Sequence, residues 1–215
     1  MPGRFRDRYH AGEVLAEKLR GYRGRTDTVV LGLARGGVPV AHRIAEALGA
    51  PLDVFVVRKL GVPGHRDLAM GAIASGGLLV INPDVVQELG ITRAVIEAVS
   101  ASETQELQRR EHDYRADRQP IALRGKSVIL VDDGLATGAS MRAAVAAVKA
   151  FDPARVVVAV PVAASEVCRR LEAEVDEVVC AVTPPDFAAV GFWYEDFSQT
   201  TDDEVRDLLH LHTQC

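Results

Sequence analysis

Five short aliphatic runs set the limits on what this chain can fold into. They are TVVLGL at 28–33, LDVFVV at 52–57, SVILV at 127–131, RVVVAV at 155–160 and DEVVCAV at 176–182. Their apolar positions do not alternate with polar ones, so each run needs cover on both faces. Between them lie segments of helical period. Residues 11–20 put Val14, Leu15 and Leu19 on one face. Residues 38–48 have Pro39 near the first turn and Gly49 just past the end, the expected order of helix start and stop signals. Further helices are predicted at 139–150, 165–173 and 202–211. Buried runs taking turns with helices predict an α/β fold, a doubly wound and mainly parallel sheet. In such sheets ligands bind beyond the carboxyl ends of the strands.

The remaining segments depart from that rhythm. Residues 60–70, LGVPGHRDLAM, show no apolar period and read as a loop. AMGAIA and LLVI, separated by Ser75-Gly76-Gly77, read as a hairpin. Asn82-Pro83 opens a short helix that Gly90 closes, and Thr92 caps a long charged helix reaching Ala116. Its Glu106/Arg110 and Glu111/Arg115 pairs have the favourable i,i+4 order of a solvated face.

The 215 residues, 48% hydrophobic and 26% charged, suffice for one domain without metal or disulfide staples. The formal charge of −5 argues against a nucleic-acid partner. No apolar run is long enough to span a membrane, and MPGRFRDRYH does not read as a signal peptide. Cys168, Cys180 and Cys215 are too few and too scattered for a disulfide framework or a zinc site. A reducing cytoplasm is therefore expected.

Four strand-end loops carry chemistry. The richest runs Asp132-Asp133-Gly134-Leu135-Ala136-Thr137-Gly138-Ala139-Ser140 after the buried strand 127–131. Backbone N–H groups in the turn and at the helix start make an anion site suited to phosphate, and the hydroxyls of Thr137 and Ser140 add donors. Gly134 and Gly138 allow a ligand close to the backbone. The two carboxylates suit acceptor work: gripping paired sugar hydroxyls, or ordering the water shell of a Mg²⁺ ion. Hydroxyl acceptors at one end and phosphate donors at the other fit a ribose 5-phosphate. The segment has neither the Gly-Lys of a Walker loop nor a G-x-G-x-x-G fingerprint.

This segment resembles the phosphoribosyl-diphosphate (PRPP) motif of the type I phosphoribosyltransferases: an apolar strand, two acidic residues, three variable positions, Thr-Gly, a small residue and Ser or Thr. The order of elements agrees over residues 10–197. The resemblance implies that Asp132 and Asp133 hold the ribose hydroxyls and that Gly134, Leu135, Ala136, Thr137, Gly138, Ala139 and Ser140 hold the 5-phosphate. It also implies Mg²⁺ as cofactor, held indirectly through Asp132 and Asp133. The single phosphoribosyltransferase-like domain expected over 1–215 then carries a helical insertion at 83–118 and a base-binding hood at 183–215.

Loop 32–39 sets Arg35 between Ala34 and Gly36-Gly37, an anion cup with one fixed charge, and resembles the family's diphosphate loop. Arg58 and Lys59 supply two further cations. Arg35, Arg58, Lys59, Asp132 and Asp133 form the expected catalytic set. The 60–70 stretch resembles a mobile lid, with His65 and Arg66 as its candidates. In 183–197, where five aromatic residues cluster, Phe187 and Trp193 are the candidates to stack on a base. The purine branch has an acidic residue where this chain has Ala136, so no general base carries over. The function expected is transfer of ribose 5-phosphate from PRPP to a small nitrogenous acceptor. The alternative is a non-catalytic PRPP or nucleotide sensor. A homodimer stays open.

Overall fold

The computed structural model describes residues 3–116 and 118–212, with the side chains of Arg66 and Asp67 excepted. Five strands form one parallel sheet: β1 (Thr28–Leu33), β2 (Leu52–Phe55), β6 (Ser127–Val131), β7 (Arg155–Val162) and β8 (Glu177–Val182), in the order β2-β1-β6-β7-β8. Three more, β3 (Val57–Val62), β4 (His65–Ala74) and β5 (Leu78–Ile81), form a separate antiparallel sheet.

Successive side chains of the central strands enter opposite cores, because neighbouring residues of a strand point to opposite faces. Val30, Ile129, Val131, Val157 and Ala159 join one core with α1 (Arg8–Lys18), α2 (Gly37–Leu48) and α7 (Asp202–His212). Val29, Leu31, Val128, Leu130, Val156 and Val158 join the other with α5 (Ala139–Lys149) and α6 (Ser165–Glu172). Both cores being dry explains why the sequence runs do not alternate.

Two expectations are corrected. The run 52–57 is not one strand. It breaks at Val56, whose amide donates to Ser75 Oγ at 2.9 Å and whose carbonyl accepts from the Ser75 amide at 2.8 Å. There the chain leaves the parallel sheet for the antiparallel one. The stretch 60–70 is not a loop either. Pro63-Gly64 make the turn of a ribbon between β3 and β4, with Gly64 at φ +81°. Gly61 sits at register irregularities, and Leu60, Val62, Met70 and Ile73 are buried in the first core. The glycines and proline that hid the strand period are its turn and bulge.

α3 (Pro83–Glu88) and α4 (Arg93–Arg115) follow the ribbon. Asn82 and Thr92 cap them, accepting from the amides of Val85 and Val95. α4 is anchored through Arg115, which reaches Asp53 at 2.9 Å and the Val54 carbonyl at 2.7 Å, all well buried. The cysteines correct a third expectation. Cys168 of α6 and Cys180 of β8, twelve residues apart, form a disulfide. They pair because α6 packs directly on β8, a proximity their sequence spacing does not reveal. No helix among the described residues is long and apolar enough to cross a membrane.

Candidate functional site

The carboxyl ends of β1, β6, β7 and β8 converge. Leu135, after the β6 acidic pair, donates its amide to the Val162 carbonyl at 2.9 Å and pairs with Ala163. The turn is thereby tied to the end of β7. Gly138 precedes α5 at φ +75°, and no side chain caps that helix. Inside its first turn there is only a long contact, 3.4 Å, from the Ala139 amide to Thr137 Oγ1. The first-turn N–H groups thus have no side-chain cap. Thr137, Ala139 and Ser140 border a cleft of about 820 Å³ between α5 and the antiparallel sheet, and Lys59 lies on its other wall.

Loop 34–37 meets the acidic pair at contact distance. The Ala34–Arg35 peptide is cis. A Cβ on Gly36 would run into Asp133 Oδ2, and one on Gly37 would stand 2.5 Å from the Val131 carbonyl oxygen. Both positions therefore require glycine for space. Gly134, at φ +155°, is pressed by Val190, to which a Cβ would come within 2.5 Å.

The two carboxylates are placed differently. Asp132 Oδ1 accepts from the Asp133 amide at 2.9 Å. Asp133 Oδ2 accepts from Arg8 Nε at 2.8 Å, with Arg8 Nη2 also at 2.8 Å. Burial, then the Asp133 charge, pushes the Asp132 carboxyl well above the ordinary carboxylate range. Burial raises Asp133 too, while Arg8 opposes it. The Tyr194 hydroxyl donates to the Asp133 carbonyl at 2.6 Å, and burial raises its pKa. Arg8 and Tyr194 are site residues that the sequence reading missed. Arg8 lies 125 residues from its partner, so no local motif could mark it.

The predicted cations are present but engaged. Arg35 Nη1 stands 3.8 Å from Asp202 Oδ1 at the start of α7. Arg58 meets Glu103 of α4 at 2.6 and 2.8 Å. His65 is exposed at the tip of the ribbon, on a strand rather than a loop. The Arg66 side chain lies outside the described part. Phe187 is half-buried and belongs to no buried cluster, whereas Trp193 packs on the cluster of Phe5, Ala11 and Tyr194. The two aromatic candidates thus differ in packing, although both are half-buried.

No group of three or more His, Cys, Asp or Glu among the described residues is arranged to hold a metal ion. The donor set is two carboxylates, with Asp133 tied to Arg8. That fits an outer role toward a hydrated Mg²⁺ and not a protein-built cage.

An open, parallel central sheet flanked by helices, with an acidic pair, an uncapped helix start and a glycine-rich turn at its carboxyl edge, defines an α/β protein. Residues 63–195 match the phosphoribosyl transferase domain, more than half of the chain. The chain belongs to the phosphoribosyl transferase family. Two Mycobacterium tuberculosis proteins, from strains CDC 1551 and H37Rv, carry the name phosphoribosyl transferase provisionally. Each is 48% identical to this chain over 201 residues, 94% of it and 45% of their own length. The chain thus spans less than half of these relatives. A Thermus thermophilus protein of known crystal structure is 48% identical, with a TM-score of 0.83 over 96% of this chain and 97% of that one.

Proposed function

We propose that the chain transfers ribose 5-phosphate from PRPP to a small nitrogenous acceptor, with diphosphate as the second product. The observation that carries this reading is the contact between the Asp132-Asp133 pair and the Gly36-Gly37 cup, beside the uncapped start of α5. Asp132 and Asp133 grip the ribose hydroxyls, and residues 134–140 hold the 5-phosphate through backbone N–H groups. The acceptor nitrogen attacks C1 as the C1–O bond to diphosphate breaks, and the diphosphate leaves with the electron pair. Arg35, Arg58 and Lys59 stabilise the charge that develops there. Asp132 and Asp133 would hold a hydrated Mg²⁺ ion indirectly, and such an ion would supply charge neutralisation for the departing diphosphate. The β3–β4 ribbon carries His65 and Arg66 and shields the activated sugar from water. Phe187 is the stacking surface for the acceptor. Residues 183–215 form the hood, and the 83–118 insertion braces it through α4, whose Tyr114 hydroxyl donates to Asp202 of α7 at 2.6 Å.

The sensor reading has one specific observation in its favour: Arg35 and Arg58 are already engaged by the acidic residues Asp202 and Glu103. Diphosphate release from PRPP, measured across a panel of bases with Mg²⁺, separates the two. Turnover with any base supports the enzyme, and PRPP binding without release supports the sensor. In either case Arg35→Ala should weaken diphosphate binding by about tenfold or more, the scale of a lost charge-assisted contact, and leave ribose 5-phosphate binding unchanged. Equal losses for both ligands would contradict the division of the site into two anion-binding ends.

A further inference from the structure

We propose that Arg8 is a positioning residue that fixes the acidic pair in a diol-reading geometry and so confers preference for ribose over 2-deoxyribose. The inference rests on the ribose reading of Asp132 and Asp133. Arg8 Nε and Nη2 both close on a single oxygen, Asp133 Oδ2, each at 2.8 Å. That oxygen is also walled by Gly36, where no Cβ would fit. Asp133 Oδ1 is left open by this arrangement. On Asp132 the choice is already made by the backbone, because Oδ1 takes the Asp133 amide and Oδ2 is left. The pair thus presents one open oxygen from each carboxylate, which suits the two vicinal hydroxyls of a ribose.

Arg8 is itself over-determined, as a residue that sets a geometry must be. It lies one position after Asp7, the residue that caps α1. Nη1 donates to the Ser198 carbonyl at 2.6 Å, and the guanidinium lies 4.0 Å from the centre of the Phe197 ring. Tyr194, which bonds the Asp133 carbonyl, packs on Phe197 at 4.9 Å between ring centres. A planar, forked cation suits this position. A lysine could supply the charge but neither the second N–H nor the stacking plane.

The test is calorimetric titration with ribose 5-phosphate, 2-deoxyribose 5-phosphate and inorganic phosphate, on wild type, Arg8→Gln and Arg8→Lys. In wild type the missing hydroxyl should cost about tenfold or more, the scale of a charge-assisted hydrogen bond. Arg8→Gln should bring the two sugars within about threefold while inorganic phosphate binds as before, and Arg8→Lys should fall between. Melting temperatures accompany each titration. A purely structural loss would weaken all three ligands together and leave their ratios alone. Wild-type discrimination in either variant overturns the proposal with the ribose reading intact. Arg8→Lys decides alone should Arg8→Gln not fold. Equal binding of both sugars by wild type overturns the ribose reading, and the proposal with it.

Discussion

Asp132 and Asp133 are adjacent in sequence and unequal in surroundings. Asp133 is bonded directly by a guanidinium that offsets its burial, whereas Asp132 has its neighbour's amide and only the more distant charge of Arg8. The folded chain therefore holds a proton on Asp132 to higher pH than the unfolded chain does, where the ordinary value is 3.8. A group of that kind contributes most to stability when protonated, and its contribution declines as pH rises from the unfolded value through the folded one. Asp27 and Glu106, each lowered to about 2 by arginine partners, act in the opposite direction and lie at the surface. The informative quantity is therefore the difference between variant and wild type. Asp132→Asn should melt progressively higher relative to wild type as pH rises above about 4, while its affinity for ribose 5-phosphate falls by roughly 1.5–3 kcal/mol. Parallel pH profiles for the two proteins would mean that Asp132 titrates normally.

At the level of elements, the long helix is more than a solvated rod. It carries the Glu106–Arg110 pair that the sequence spacing indicates, and Arg109 adds pairs with Glu106 and Asp113. Its last turn is different, because Arg115 is buried against Asp53 on β2. Arg115→Met should cost about 3–5 kcal/mol, since it leaves the Asp53 carboxylate buried without its counter-charge. Adding Asp53→Asn should recover part of that loss, because the charge is then gone as well. Denaturant titration reads both, and no recovery in the double variant would place the damage in packing. The i,i+4 rule could see the Glu111–Arg115 pair but not Asp53, which lies 62 residues away. The same limit divides what the sequence disclosed. β6, the turn after it and α5 were legible because strand, loop and helix start are contiguous and each obeys local rules. The break at Val56 was not, because a serine nineteen residues later decides it. The β3–β4 ribbon was misread because its own turn and bulge residues interrupt the period that would have announced it.

Taken whole, the molecule is tied together by contacts between distant parts of the chain. One is covalent: the Cys168–Cys180 bond joins α6 to β8, and Val167 beside it leaves no room for a Cβ on Gly138, which would stand 2.8 Å from it. Closing a loop of this size stabilises by roughly 3 kcal/mol. Without reductant, two of the three cysteines should resist alkylation in the denatured chain, as read by intact mass, and adding reductant should lower the melting temperature. Alkylation of all three at once would show the pair as thiols.

The other tie is between residues 5–8 and 193–198. The Phe5 amide donates to the Trp193 carbonyl and its carbonyl accepts from the Glu195 amide, both at 2.8 Å. Arg8 then reaches Ser198 across 190 residues of sequence. On a chain emerging from a ribosome, the strands, the turn at 134–140 and Arg8 itself all exist before residue 198 does. The carbonyl and the ring that orient Arg8 come last, and bringing such distant segments together carries a loop entropy that grows with their separation. On the proposed reading, the phosphate-holding turn and the sugar-reading geometry thus belong to different moments in the life of the chain. The proposed phosphate-holding segment is one contiguous strand–turn–helix, whereas the setting of Arg8 waits until residue 198 has been made and gathered in.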